Sequence, residues 1–169
     1  IPAVTKEGIT LVISPLLSLM KDQVVQLEKR GIKALHIPGG IKYQELDVLL
    51  DNCIYGNYKL LYLSPERLQN ELVLARLKQM NINLLAIDEA HCISQWGHDF
   101  RPAYQNIISF KNLHPTIKTI ALTATATQKV VEDITTYLDI PNAKVFKQSF
   151  KRDNLSINLE KFEDKNYKL

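Results

Sequence analysis

The sequence predicts an open α/β layer structure with a mainly parallel sheet, and three observations predict it. Short apolar, β-branched runs alternate with longer stretches whose apolar residues recur every three or four positions, the pattern of strands joined by crossover helices. The apolar runs end on polar or hydroxylic residues, as buried strands do when their carboxyl ends carry chemistry. The 169 residues suffice for about one domain of ordinary size with a substantial core.

Residues 9–13, ITLVI, form the first strand. They yield at Ser14-Pro15 to a helix in which Leu17, Met20, Val24 and Leu27 align, with Ser14 as N-cap, Pro15 in the first turn and Gly31 as the stop. A short strand over 34–37 and a Pro38-Gly39-Gly40 turn precede a helix over about 42–55, which turns Leu46, Leu49, Leu50 and Cys53 inward. Residues 59–63, KLLYL, repeat the first pattern and feed Ser64-Pro65-Glu66-Arg67, a second helical start. A helix over about 71–80 uses Leu72, Leu74, Ala75 and Leu77. The apolar run 84–87 is then cut off by Asp88 and Glu89. An irregular segment with Trp96, His98, Phe100, Arg101 and Tyr104 follows, and residues 104–113 regain helical potential through Ile107, Ile108 and Phe110. A strand over 119–122 delivers Thr123-Ala124-Thr125-Ala126-Thr127, and Val130, Val131, Ile134 and Leu138 align on a final helix. Beyond the Pro141-Asn142 break, residues 144–148 read as one last strand.

Composition narrows the class. With 46% apolar and 23% charged residues and no low-complexity tract, the chain reads as a soluble globular protein, and no run approaches the roughly 18 apolar residues of a membrane span. A net charge of +3 permits a nucleic-acid partner without demanding one. Cys53 and Cys92 form no CxxC and match no zinc spacing, so two reduced thiols and a cytosolic or nucleoid setting are expected.

Asp88 and Glu89 are the centre of the chemistry. Carboxylates at a strand tip suit a nucleoside triphosphatase, because Mg²⁺ is held through one or two acids with phosphate and water completing its octahedron. A neighbouring acid can orient or deprotonate the attacking water. The plainer alternative for an Asp-Glu pair is a solvated turn or a helix cap. The next segment favours the first alternative: several rings and a guanidinium in an irregular stretch suit stacking on unpaired bases and pairing with phosphate. Gly39-Gly40 could suggest a phosphate loop, but GxxxxGK[ST] occurs neither there nor elsewhere in the chain.

The string AIDEAHCISQWGHDFRPAY resembles motif II of the RecQ family of DNA helicases together with the aromatic-rich loop that follows it. DEAH alone occurs in several helicase groups, whereas the continuation CISQWGHDFRP is far more restrictive. ISPLLSLMKDQV is similar to helicase motif Ia, LYLSPERL to motif Ib and ALTATAT to motif III. The resemblance implies a RecA-like three-layer fold of the P-loop NTPase type, truncated at its N-terminus, with ATP and Mg²⁺ as cofactors and single-stranded DNA and unwinding junctions as partners. It implies that Asp88 positions Mg²⁺, that Glu89 acts on water, and that His91 with Trp96, His98, Phe100 and Arg101 reports DNA occupancy. Ser14, Lys21, Ser64 and Arg67 would contact the DNA backbone, and Thr123 and Thr125 would link the two sites. Ser14 and Ser64 remain open as simple helix starts, Lys21 and Arg67 as solvated charges, His91 and His98 as structural residues, and Tyr104 as core packing.

Residues 1–148 then form a partial first lobe, and 149–169 a junction leading into a second. The family's run there is closer to FDRPN, and the lysine and aspartate flanking Arg152 leave that arginine's role open. The chain begins at Ile1, downstream of motif I, and is expected to be part of a longer protein and inactive by itself. In that parent the resemblance implies movement 3′ to 5′ along one strand, in DNA repair or recombination, in a bacterial cytosol or a eukaryotic nucleus. Two rivals stand beside it: a DEAH-type helicase acting on RNA, and a binding module that never turns over ATP.

Overall fold

A computed structural model describes residues 2–148 and 154–156. After a single turn, α1 (Pro2–Thr5), the strands β1 (Ile9–Ile13), β2 (Ala34–His36), β3 (Leu60–Leu63), β4 (Ile82–Ile87) and β5 (Thr119–Ala121) assemble into one five-stranded sheet ordered β2-β3-β1-β4-β5. Every pairing is parallel. Between them run α2 (Leu17–Glu28), α3 (Tyr43–Tyr55), α4 (Glu71–Leu77) and α5 (Asn106–Leu113), and α6 (Gln128–Tyr137) follows β5.

Handedness distributes the helices. The step from β1 to β2 runs one way across the sheet, and every later step runs the other way. Right-handed crossovers therefore place α2 on one face and α3, α4 and α5 on the opposite one. The two cores follow that division. Leu11, Ile13, Leu61, Leu63, Leu85 and Ile87 point to the larger core, with Leu46 and Leu50 of α3, Phe110 of α5 and Val130 and Ile134 of α6. Met20 and Val24 of α2 pack with Ala34 and Tyr62 on the other face, against Val12 and Leu60.

The sequence places β1, α3 and the helical spacing of α6 within a residue or so, and the deviations have local causes. Ser14 does not cap α2: the helix opens after Leu16 without a side-chain cap, and Ser14 is recruited elsewhere. Leu17 is consequently 45% exposed, and the inward face of α2 begins at Met20. At the other end Gly31 sits at φ 73°, its N–H reaching Glu28 O and that of Ile32 reaching Leu27 O, the paired bonds of a Schellman stop. Pro65–Gln69 is a 3₁₀ turn rather than the start of an α-helix, because Asn70 caps the helix behind it through Val73 N at 3.1 Å. That start fixes the rotation of α4, so Val73 and Leu77 are buried while Ala75, expected inward, is exposed. The central strand begins at Ile82, two residues before the apolar run suggests, since Ile82 pairs with Ile9 and the ladder resumes at Leu84 after an irregularity at Asn83.

No strand forms over 144–148: Val145 and Phe146 are exposed, and alternation without a hydrogen-bonded neighbour does not make a ladder. The junction expected over 149–169, Arg152 included, lies almost wholly outside the described residues. Both cysteines are buried and free, and burial pushes the Cys53 thiol up to about 12. No helix among the described residues is long and apolar enough to cross a membrane.

Leu85 is fully buried in a strand with a parallel neighbour on each side. Leu85→Ala should therefore cost about 2–5 kcal/mol of unfolding free energy by denaturant titration, through lost burial and the cavity left behind.

Candidate active site at the sheet mouth

The chain leaves β1 toward one edge of the sheet and returns to β4 on the other side of β1, so the mouth between these strands is the topological switch point where open α/β sheets bind ligands. The ladder runs one residue beyond each strand: Asp88 N donates to Ile13 O at 2.8 Å and Ser14 N to Leu63 O at 3.2 Å. Ser14 and Asp88 are thereby brought side by side, and the Ser14 hydroxyl donates to Asp88 Oδ2 at 3.0 Å. The other carboxylate oxygen accepts the Glu89 N–H at 3.0 Å. From behind, the Tyr104 hydroxyl donates to the Asp88 carbonyl at 2.9 Å. Tyr104 is buried as the core-packing alternative expects, yet its polar end is spent on the main chain of Asp88; burial, then the Cys92 thiol, then Asp88 hold its ionisation well above the usual phenol range.

Glu89 turns the strand into a 3₁₀ segment, Ala90–Ile93, by adopting φ 47° and ψ 44°. A left-handed conformation in a residue with a side chain costs of order 1 kcal/mol or more and persists only where its surroundings enforce it. Here it folds the carboxylate back toward His91, whose Nδ1 lies 3.2 Å from Glu89 Oε2 and 2.9 Å from Thr123 Oγ1. A carboxylate only accepts, so Nδ1 carries the proton; the Thr123 hydroxyl accepts from it and donates in turn to Thr125 O at 3.2 Å. Burial, with the neighbouring His98 second, holds His91 below the ordinary imidazole range in spite of Glu89's opposing charge. His91 is accordingly neutral near pH 7 and leaves the Glu89 charge uncancelled.

His98 stacks on His91 with centroids 4.1 Å apart, and its Nδ1 lies 3.2 Å from Thr125 Oγ1. Thr127, not Thr123 or Thr125, caps α6. Two hydroxyls of the same run are thus free to meet two imidazoles. The loop itself is closely wound: Arg101 N donates to Cys92 O, Gly97 N to Ser94 O and Trp96 N to Ser94 Oγ. A Cβ at Gly97 would lie 2.3 Å from His91 O, so only glycine allows this turn to rest on the 3₁₀ segment. Trp96 is 73% exposed and Phe100 half-buried, while Arg101 is engaged by Asp99 at 2.9 Å.

Glu89, His91, His98, Arg101, Pro15 and Leu16 line a cleft of about 200 Å³. A larger cleft of about 290 Å³, bordered by Lys6, Asn83 and Lys118, opens at the opposite, amino ends of the strands. Open parallel sheets bind ligands at the carboxyl ends of their strands, and it is the smaller cleft that lies at that end. Lys21, Ser64 and Arg67 form no hydrogen bond with this network among the described residues. Lys21 is exposed on α2, close enough to His36 to reinforce the depression that burial causes there. Arg67 Nη2 donates to Pro38 O at 2.6 Å and ties down the turn after β2, and Ser64 O accepts the Arg67 N–H. Ser94 and Asp133, neither of them among the residues expected at the site, are joined by a 2.5 Å hydrogen bond. Only their position, in the ring-bearing segment and on the apolar-faced helix after the threonines, could have drawn notice.

Fold and site together define a RecA-like α/β lobe with an acid pair at its switch point. A family model described as DEAD/DEAH box helicase matches residues 1–134, and the chain belongs to that family. It is 49% identical over 166 residues to the ATP-dependent DNA helicase RecQ of Bacillus subtilis, covering 98% of this chain and 28% of that protein. It is 47% identical to the ATP-dependent DNA helicase Q-like 4B of Arabidopsis thaliana, covering 92% of this chain and 14% of the relative. The chain therefore spans less than a third of the length of these relatives. The Hef helicase domain of Pyrococcus furiosus shares the fold at 18% identity, with a TM-score of 0.59 over 83% of this chain and 29% of that one.

Two outcomes follow from this geometry. Tyr104→Phe should cost about 1–3 kcal/mol of stability by denaturant titration, since the half-buried Asp88 carbonyl loses its donor. His36, His91 and His114 are all held below the ordinary imidazole range, chiefly by burial. Below about pH 6.5 the unfolded chain binds more protons than the folded one, so stability should fall as pH drops from 7 to 5. Thermal melts should show a shallower fall for His91→Gln.

Proposed function

We propose that this chain forms part of the first motor lobe of a RecQ-like, ATP-dependent DNA helicase that couples ATP hydrolysis to 3′ to 5′ movement on single-stranded DNA and to duplex unwinding. The observation that carries the reading is the continuous set of contacts from Asp88 and Glu89 through His91, Thr123, Thr125 and His98 to the ring-bearing loop.

Mg²⁺ fits this site as a shared ligand rather than a caged one. Among the described residues no three acids, histidines or cysteines converge on a common point. Asp88 instead offers one carboxylate, oriented by Ser14 and the Glu89 N–H, which suits a cation completed by phosphate and water. Bound there, Mg²⁺ would neutralise charge on the phosphate oxygens.

The chain's own residues supply the remaining work. Glu89, unneutralised by a neutral His91, accepts a hydrogen bond or proton from the water that attacks the terminal phosphate. His91 and Thr123 fix the direction of that carboxylate. Trp96 and Phe100 stack on unpaired bases, so strand binding at the loop acts on His98 and, through its stacked partner, on the acid.

In a full-length protein carrying this lobe, Glu89→Gln should lower ATP turnover by about 10²–10⁴-fold while leaving nucleotide binding measurable by fluorescence titration. Trp96→Ala should raise the single-stranded DNA concentration that half-saturates ATP turnover by about tenfold. Unaltered turnover in Glu89→Gln, or stimulation by RNA in place of DNA, would overturn this reading.

A further inference from the structure

The ring-bearing loop is fastened to the body of the lobe at a point that neither the acid pair nor the threonine run explains. Ser94 is 1% exposed, and its hydroxyl donates to Asp133 Oδ2 on α6 at 2.5 Å while accepting the Trp96 N–H at 3.1 Å. The same residue's main chain donates to His91 O and accepts from Gly97 N. Ser94 is therefore the residue through which the first turn of the loop is wound, and Asp133 is what holds Ser94.

The partner is well suited to holding it. Asp133 lies one and a half turns into α6, on the side facing the 3₁₀ segment that carries His91. Its other carboxylate oxygen faces Lys129 Nζ at 3.7 Å, a weak contact that leaves the hydroxyl as the close one. A charged acceptor makes the Ser94 bond stronger than one between neutral groups. Because α6 follows directly on Thr123 and Thr125, the segment after β5 grips the loop at three points: His91, His98 and Ser94.

We propose that Asp133 is a positioning residue for the loop, its carboxylate holding Ser94 so that Trp96 is turned to solvent and His98 rests on His91. This deepens the reading above and rests on it: Asp133 touches neither nucleotide nor DNA, and sets how readily a strand engages the rings. A loop released from α6 would retain its acid pair and its basal chemistry but would meet DNA in many conformations rather than one.

The test uses a full-length protein carrying this lobe, with Asp133→Leu to remove the acceptor and Asp133→Asn to keep an oxygen without the charge. Hydrogen exchange followed by mass spectrometry reads the loop, and ATP turnover titrated with a single-stranded oligonucleotide reads its use. Asp133→Leu should speed amide exchange across 94–97 and raise the half-saturating oligonucleotide concentration by about tenfold, the loss expected for one charge-assisted hydrogen bond, with basal turnover unchanged. Asp133→Asn should restore most of both. Unchanged exchange across 94–97 in Asp133→Leu overturns the tie, and faster exchange with an unchanged half-saturation overturns its positioning role. If the unmodified protein shows no DNA stimulation, the motor reading itself fails, and the exchange measurement without DNA still decides whether Asp133 orders the loop.

Discussion

The parallel pairing of β1 with β4 is the constraint on which the rest of the lobe depends. Neither strand carries a complete site. Only when Ile13 and Ile87 are in register do the residues after them, Ser14 and Asp88, stand close enough for a hydroxyl to orient a carboxylate. That register is itself set by burial: a slip of β4 by one residue would turn Leu85 and Ile87 out of the larger core and bring Ala86 in. The apolar layer and the polar mouth are thus two consequences of the same alignment.

Around that mouth the lobe uses short polar links between elements distant in sequence. Tyr104 braces Asp88 from behind, Thr123 braces His91 and Thr125 meets His98. The first two links join groups that are buried or half-buried, where an unpaired partner would be costly, so they specify one arrangement more than they add net stability, while the Thr125–His98 contact lies at the surface. The left-handed Glu89 is the point of stored strain. It reverses the chain so that an acid at the end of a strand faces a histidine two residues later, which an ordinary extended or helical residue would not do.

The loop that follows combines exposure with order. Trp96 is open to solvent, yet its own amide and those of Gly97 and Arg101 are all bonded within the loop and the 3₁₀ segment beneath it. A large ring held out on a fixed backbone loses little entropy when something stacks against it. This separates the segment from an ordinary surface loop, whose exposed aromatic would be both mobile and unpaired.

Much of this was legible in the residues themselves. Apolar periodicity locates the strands and most helices, because the spacing of buried side chains is a property of the local chain, and the acids ending an apolar run mark the mouth of the sheet. Direction of side chains was not legible. Ser14-Pro15 reads as a helix cap by local rules, and only the arrival of β4 beside β1 turns its hydroxyl to Asp88. Ala75 and Leu17 satisfy helical spacing, yet the Asn70 cap and the start of α2 rotate them outward. The Ser94–Asp133 bond spans residues on separate elements. Sequence alone located the five strands of the sheet and the charges, since both follow from composition over a few residues, although the same alternation over 144–148 makes no strand without a neighbour to pair with. Tertiary structure decided which hydroxyl meets which acid, because that depends on contacts between segments tens of residues apart that no local pattern records.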